Sequence, residues 1–199
     1  MKSVVKLTGS KGFLASHLIE PLTKKFNVDC DTRDVRDIIK HRRKYSMVMH
    51  FAGPSDDYDF MDQFNMSTTM INGTMNMLDL AASNNSKFVF ASTLGVEQDD
   101  PHKPYISYKL AMEHYIKSVY NNYVILRIPR VYSRDRKKVL IKKLREGVVP
   151  EQDMNNVVEH LNIDKFVDQT LHAITMQQVT YNYTGLTMDT IADIQDKYI

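Results

Sequence analysis

The chain of 199 residues is 43% apolar and 25% charged, with a formal net charge of +2. Those values match soluble globular domains and give no reason to expect a nucleic-acid or membrane partner, and the length suffices for one folding unit with a substantial core. A single cysteine, Cys30, excludes an internal disulfide framework, no apolar run approaches the roughly 20 residues of a membrane-spanning helix, and the first residues lack a secretion pattern, so a cytoplasmic location is expected.

In chain order, the apolar patterning predicts strands over 3–7, 26–30, 46–51, 88–91, 123–128 and 181–183. Helical period is expected over 12–25, 61–83, 105–120, 137–146, 164–176 and 188–197. Short strands alternating with helices are the signature of βαβ units, so the fold class is α/β, a doubly wound, mainly parallel sheet. No repeat, low-complexity tract or Pro/Gly/Ser-rich linker divides the chain. Met66, Met70 and Met77 recur at helical spacing and read as adaptable core packing. The seven histidines form no HxxxH or HxxEH cluster and one Cys cannot build a thiolate site, so no metal is expected. His50, at a strand end, reads as a hydrogen-bonded structural residue beside a cleft.

After the first strand comes TGSKGFLASHL (residues 8–18), with small residues at Gly9, Gly12 and Ala15. Gly9 permits a tight turn, Gly12 lets backbone approach a pyrophosphate, and Ala15 allows close packing of helix on strand, with the helix N-terminus facing the anion. Lys11, Phe13 and Leu14 complete this candidate dinucleotide loop. An acid about twenty residues further on should bind the adenosine ribose. Asp29 and Asp31 both qualify, whereas Arg33 suits a 2′-phosphate, so NAD is the expected cofactor with NADP also open.

Taken together with MVMHFAG (47–53), INGTMNMLDLAA (71–82), KFVFASTLGVE (87–97), PYISYKLAMEHY (104–115), LRIPRVYS (126–133) and TYNYTG (180–185), the loop resembles the extended short-chain dehydrogenase/reductase family of NAD(P)-dependent nucleotide-sugar epimerases and dehydratases. The resemblance implies a Rossmann-like sheet with Phe51, Ala52 and Gly53 lining the cofactor. It makes Tyr105 the catalytic tyrosine, Lys109 its partner and the ribose ligand, and Thr93 the hydroxyl that holds the substrate oxygen. A tyrosine of ordinary pKa about 10 is a poor base near neutrality, and a neighbouring ammonium favours its phenolate. Strand alternation sends Ser92 and Thr93 to opposite faces, and the aligned motif selects Thr93. The implied partner is a nucleotide-sugar, and the family often dimerises through the helix carrying YxxxK and the Met-rich helix, so a homodimer is open.

Departures narrow that reading. Leu94 and Gly95 stand where the dehydratases carry Asp and Glu, which disfavours water elimination and leaves epimerisation, keto-reduction or decarboxylation. Family members are longer, so the expectation is one NAD(P)-binding domain over 1–199 with a reduced substrate lobe formed mainly by about 130–165 and 180–199. Asn155 or Asn156 replaces an Arg that grips the substrate phosphates, and Arg130, Lys142 and Lys143, with Arg145, are candidates to compensate. The basic tract over 133–145 keeps a nucleic-acid reading open, disfavoured by the near-neutral net charge, and the small lobe keeps open a catalytically silent cofactor-binding protein.

Overall fold

A computed structural model describes residues 2–30, 33–37, 43–54, 62–98, 103–136 and 139–199. The main sheet is built from β1 (Val4–Thr8), β2 (Asn27–Asp29), β3 (Met47–His50), β4 (Lys87–Thr93), β5 (Tyr123–Ile128) and β8 (Val179–Asn182), in the order β2-β1-β3-β4-β5-β8 with every pair parallel. The central strands are apolar on both faces because helices cover both, as parallel sheets require. Val5, Leu7, Val89, Val124 and Leu126 face α1 (Phe13–Thr23) and α5 (Ile163–Ala173), burying Leu18, Leu22 and Phe166. The alternate residues Val48, Phe88, Phe90 and Ile125 face α2 (Gln63–Ser83) and α3 (Pro104–Val119), burying Met77, Ala81, Met112 and Ile116. Met66, Met70 and Met77 are all buried, in accord with their reading as core.

Strand order reverses between β1 and β3, whose ends meet at Thr8 and His50. In open α/β sheets a ligand crevice lies beyond the carboxyl ends of the strands at such a switch point. The sheet, its flanking helices and its switch point are those of a Rossmann-like fold.

A second sheet has the order β6-β7-β9, with β6 (Val131–Tyr132) parallel and β9 (Thr187–Thr190) antiparallel to β7 (Val157–Asn162). It packs with α4 (Val139–Arg145) and α6 (Ile191–Tyr198) around Tyr132, Ile141, Leu144, Val158 and Ile194. Residues 188–190 were expected to be helical and are strand instead. The Thr190 hydroxyl accepts from the Asp193 N–H at 3.1 Å while the Asp193 carboxylate accepts from the Thr190 N–H at 3.0 Å, and this capping box starts the helix at Ile191. Strands β6 and β7 were not foreseen, although β7 alternates exposed and buried residues along most of its length. Among the described residues no helix is long and apolar enough to cross a membrane.

Candidate active site

Gly9 adopts φ +71°, in the left-handed region that only glycine enters freely. A side-chain carbon there would stand 2.7 Å from the Ala52 nitrogen and 2.7 Å from the Phe51 carbonyl carbon, so the turn depends on backbone lying against backbone. The Gly12 N–H donates to the Gly9 carbonyl at 2.7 Å, closing the turn immediately before α1. Gly12 is the N-cap, no side chain caps the helix, and its first turn carries no acid. That end is compatible with an anion. A carbon added at Gly53 meets nothing within 4 Å, whereas Ala15 is packed in the core. Lys11 is exposed, and Phe13, Leu14, Phe51 and Ala52 are partly buried around the turn. These residues fit a bound dinucleotide.

At the second strand the two acids separate. Asp29 is engaged within the protein, 3.7 Å from the buried Lys6 ammonium and accepting a hydrogen bond from the Tyr45 hydroxyl at 2.6 Å. Asp31 lies outside the described residues, and Arg33 is exposed.

Proline at the first helical turn, where no intrahelical N–H is needed, opens α3 and brings Tyr105 to its start. Tyr105, Lys109 and Glu113 then follow at i, i+4 and i+8 on one face. The Lys109 side chain is buried, its ammonium donating to the Ala91 carbonyl at 2.6 Å and lying 4.7 Å from the Phe90 ring centroid and 5.8 Å from that of Tyr105. Burial lowers Lys109 to about 8, against the opposing influence of Glu113. Burial also raises the Tyr105 phenol to about 12. Desolvation is the cause of that rise, and the expected lowering of the tyrosine by its lysine is not seen here.

Thr93 ends β4 two residues beyond the carbonyl that holds Lys109. Its hydroxyl oxygen accepts from the Gly95 N–H at 3.2 Å, which leaves its proton available to donate. Ser92 turns the other way and donates to the buried Glu113 at 2.5 Å, so the alternation separates the two hydroxyls as expected. His50 bridges the Thr8 hydroxyl at 2.8 Å and the Thr74 hydroxyl at 3.2 Å, and burial followed by the Lys109 charge depresses it to about 3. It is a neutral structural residue at the switch point.

The basic tract meets the phosphate turn by an unforeseen route. The Arg136 guanidinium lies 4.7 Å from the Phe13 ring centroid and donates to the Val131 carbonyl, and Asp135 pairs with His17 at 3.1 Å. Arg145 donates to the Arg134 and Arg136 carbonyls, so its fork is engaged in holding this loop. Lys142 pairs with Glu146 at 3.8 Å, and Lys142, Lys143 and Arg130 are exposed. Sequence reasoning assigned no role to Arg136 or Glu113, although Glu113 falls on the glutamate that the family motif matched by residues 104–115 carries four residues after its lysine.

A glycine turn at the switch point of a parallel sheet, with a Tyr-Lys stripe on the helix after the fourth strand, is the arrangement of the short-chain dehydrogenase/reductase class. The profile of the NAD dependent epimerase/dehydratase family matches residues 5–182, and the chain belongs to that family. Comparison with curated proteins returns no match. Among solved structures, the fold is similar to dTDP-4-dehydrorhamnose reductase from Bacillus anthracis in complex with NADP (TM-score 0.82, 18% identity, 98% of this chain and 79% of that one). It is also similar to Thermus thermophilus UDP-glucose 4-epimerase complexed with NAD (0.79, 20%, 97% and 81%). A third likeness is to UDP-N-acetylglucosamine 4-epimerase from Methanobrevibacter ruminantium (0.81, 18%, 98% and 81%). At these identities the likeness is one of fold.

Proposed function

We propose that the protein is an NAD(P)-dependent oxidoreductase or epimerase that acts on a nucleotide-sugar without a dehydration step. The observation that carries this reading is the seating of Lys109 on the Ala91 carbonyl, 5.8 Å from the Tyr105 ring on its own helix, with Thr93 two residues further along the strand. Gly9, Gly12, Phe13 and Leu14 hold the cofactor pyrophosphate on the first turn of α1, with Phe51, Ala52 and Gly53 along the adjoining strand end. Bound NAD(P) supplies the hydride acceptor and donor. Thr93 donates to the substrate oxygen, Tyr105 takes the proton as that oxygen becomes a carbonyl and returns it on reduction, and Lys109 binds the ribose and stabilises the phenolate. Because burial favours the protonated tyrosine, an added positive charge at the crevice is needed for it to act as base near neutral pH. Leu94 and Gly95 place no carboxylate directly after Thr93 in the chain, which disfavours water elimination. Arg130, Lys142 and Lys143 remain the proposed contacts to the substrate phosphates.

The test is a screen of UDP-, GDP- and dTDP-sugars with NAD and with NADP, reading products by mass spectrometry. Turnover of a nucleotide-sugar supports the proposal. Cofactor binding without turnover of any of them supports a silent cofactor-binding protein, and salt-sensitive oligonucleotide binding without cofactor preference supports a nucleic-acid role.

A further inference from the structure

Glu113 is the most completely engaged carboxylate in the neighbourhood of the stripe. It is 1% exposed and accepts from Ser92 Oγ at 2.5 Å, from Arg127 Nη2 at 2.8 Å and from Arg127 Nε at 3.2 Å, with Lys117 Nζ at 3.6 Å. Arg127 in turn reaches Glu97 at 3.0 Å, and Glu97 accepts from Asn182 at 2.7 Å, so α3, β4, β5 and β8 are joined through one carboxylate and one guanidinium. A buried ion pair of this kind contributes little net stability compared with apolar packing, yet removing one partner is costly. What it fixes is geometry. Three consecutive residues of β4 are used: the Ala91 carbonyl holds Lys109, the Ser92 hydroxyl holds Glu113, and Thr93 carries the substrate-facing hydroxyl.

We propose that Glu113 is the positioning residue for Lys109: clamped by Ser92 and Arg127, it sets the register of α3 against β4 that seats the lysine ammonium on the Ala91 carbonyl, and it places a negative charge one helical turn away. The proposal rests on the reading of Lys109 given above. The groups that face Lys109 are Tyr105 and Glu113 on α3, the Ala91 carbonyl and Phe90 ring on β4, and His50 on β3. His50 is neutral above pH 4 and Tyr105 is neutral below pH 11, as their values of about 3 and about 12 require. Glu113 is thus the negative charge acting on the lysine across the range in which Lys109 titrates, opposed by the Arg127 and Lys117 cations paired with it.

The experiment uses the full chain with lysine labelled at 13Cε and follows the Lys109 signal, identified with Lys109→Arg, through a pH titration by NMR. The wild-type midpoint is expected near 8. Glu113→Gln keeps the side-chain volume and an acceptor for Ser92 but removes the charge, and the midpoint should fall by about one unit or more, since loss of the carboxylate favours the neutral amine. Ser92→Ala keeps the charge and should lower the melting temperature with a smaller movement of the midpoint. If Glu113→Gln does not fold, the pair Glu113→Gln/Arg127→Gln is compared with Arg127→Gln alone, so that the two proteins differ only in the Glu113 charge, and the midpoint should lie lower in the pair. An unchanged midpoint in a folded variant lacking Glu113 overturns the proposal. In an active enzyme the basic limb of kcat/KM should move down with the midpoint. A shifted midpoint in a protein that turns over no nucleotide-sugar upholds the positioning role and counts against the proposed function, so the two failures are separable.

Discussion

Replacing Gly9 with alanine isolates what the phosphate turn demands of its first residue. The left-handed backbone at φ +71° costs a non-glycine residue about 1–2 kcal/mol. The new methyl would also lie 2.7 Å from two backbone atoms at the Phe51–Ala52 junction, and relieving such overpacking costs on the order of 1–3 kcal/mol. The sum, roughly 2–5 kcal/mol, should lower Tm by roughly 5–15 °C in a chain of this size. Gly147→Ala supplies the comparison, because Gly147 has φ +64° with nothing within 4 Å of an added carbon and carries the conformational cost alone. Scanning calorimetry of both variants, with and without NAD, reads the difference. Gly9→Ala should melt well below Gly147→Ala and lose most of the NAD-induced rise in Tm. Equal melting temperatures with an undiminished NAD effect would refute the close approach of the turn to residues 51–52.

Three further outcomes follow from single side chains. His50 has a folded value of about 3 against an ordinary 6.5, so the unfolded chain binds the extra proton between those limits and the stability held above pH 6.5 is lost as pH falls. By pH 4.5 this amounts to about 2–3 kcal/mol, and the urea-derived stability of His50→Gln should fall less steeply than wild type by that amount, parallel curves being the contrary result. Lys87 donates to the Ile174 and Met176 carbonyls at 2.7 Å each, and Lys87→Met should lose about 1–3 kcal/mol in denaturant melts, whereas an unchanged midpoint would deny it this role at the end of α5. With Asp29 held by Lys6 and Tyr45, Asp31 is the acid proposed to select the ribose. NAD should bind more tightly than NADP in calorimetric titration, and Asp31→Ser should narrow or reverse the gap beside Arg33; an unaltered ratio would clear Asp31.

Much of the main sheet was legible because its strands are locally complete signals. The run of residues 123–128 is apolar enough to read as a buried strand without its neighbours, and it forms β5 with those bounds. In contrast, β6 has two residues, too few for any period, and β9 was missed because the helical reading overran Thr190, although Thr190 and Asp193 stand at capping-box spacing. The glycine turn and the Tyr-Lys stripe were visible as spacing. The competing pull of burial on Tyr105 was not, since desolvation depends on what the rest of the chain packs around a phenol. Asp29 illustrates a missed inference. A lysine in the middle of VVKLT must find an acid if it is buried, and the adjoining parallel strand offers Asp29, so an acid read as a ribose ligand could have been read as the partner of Lys6. Arg136 on Phe13 had no local signature, because its partner is more than a hundred residues away in sequence.

The central claim is that Tyr105 moves the proton in a reaction that uses a bound nicotinamide cofactor. Tyr105→Phe deletes the phenolic oxygen and keeps the ring that lies near Lys109, so it tests that role with the least disturbance of the crevice. Using a nucleotide-sugar that the wild type converts, turnover by the variant should fall by at least about a thousandfold, within the range expected for loss of a general acid and base, while NAD affinity by calorimetry stays within about threefold. Turnover at the wild-type rate by a folded Tyr105→Phe protein would contradict the account.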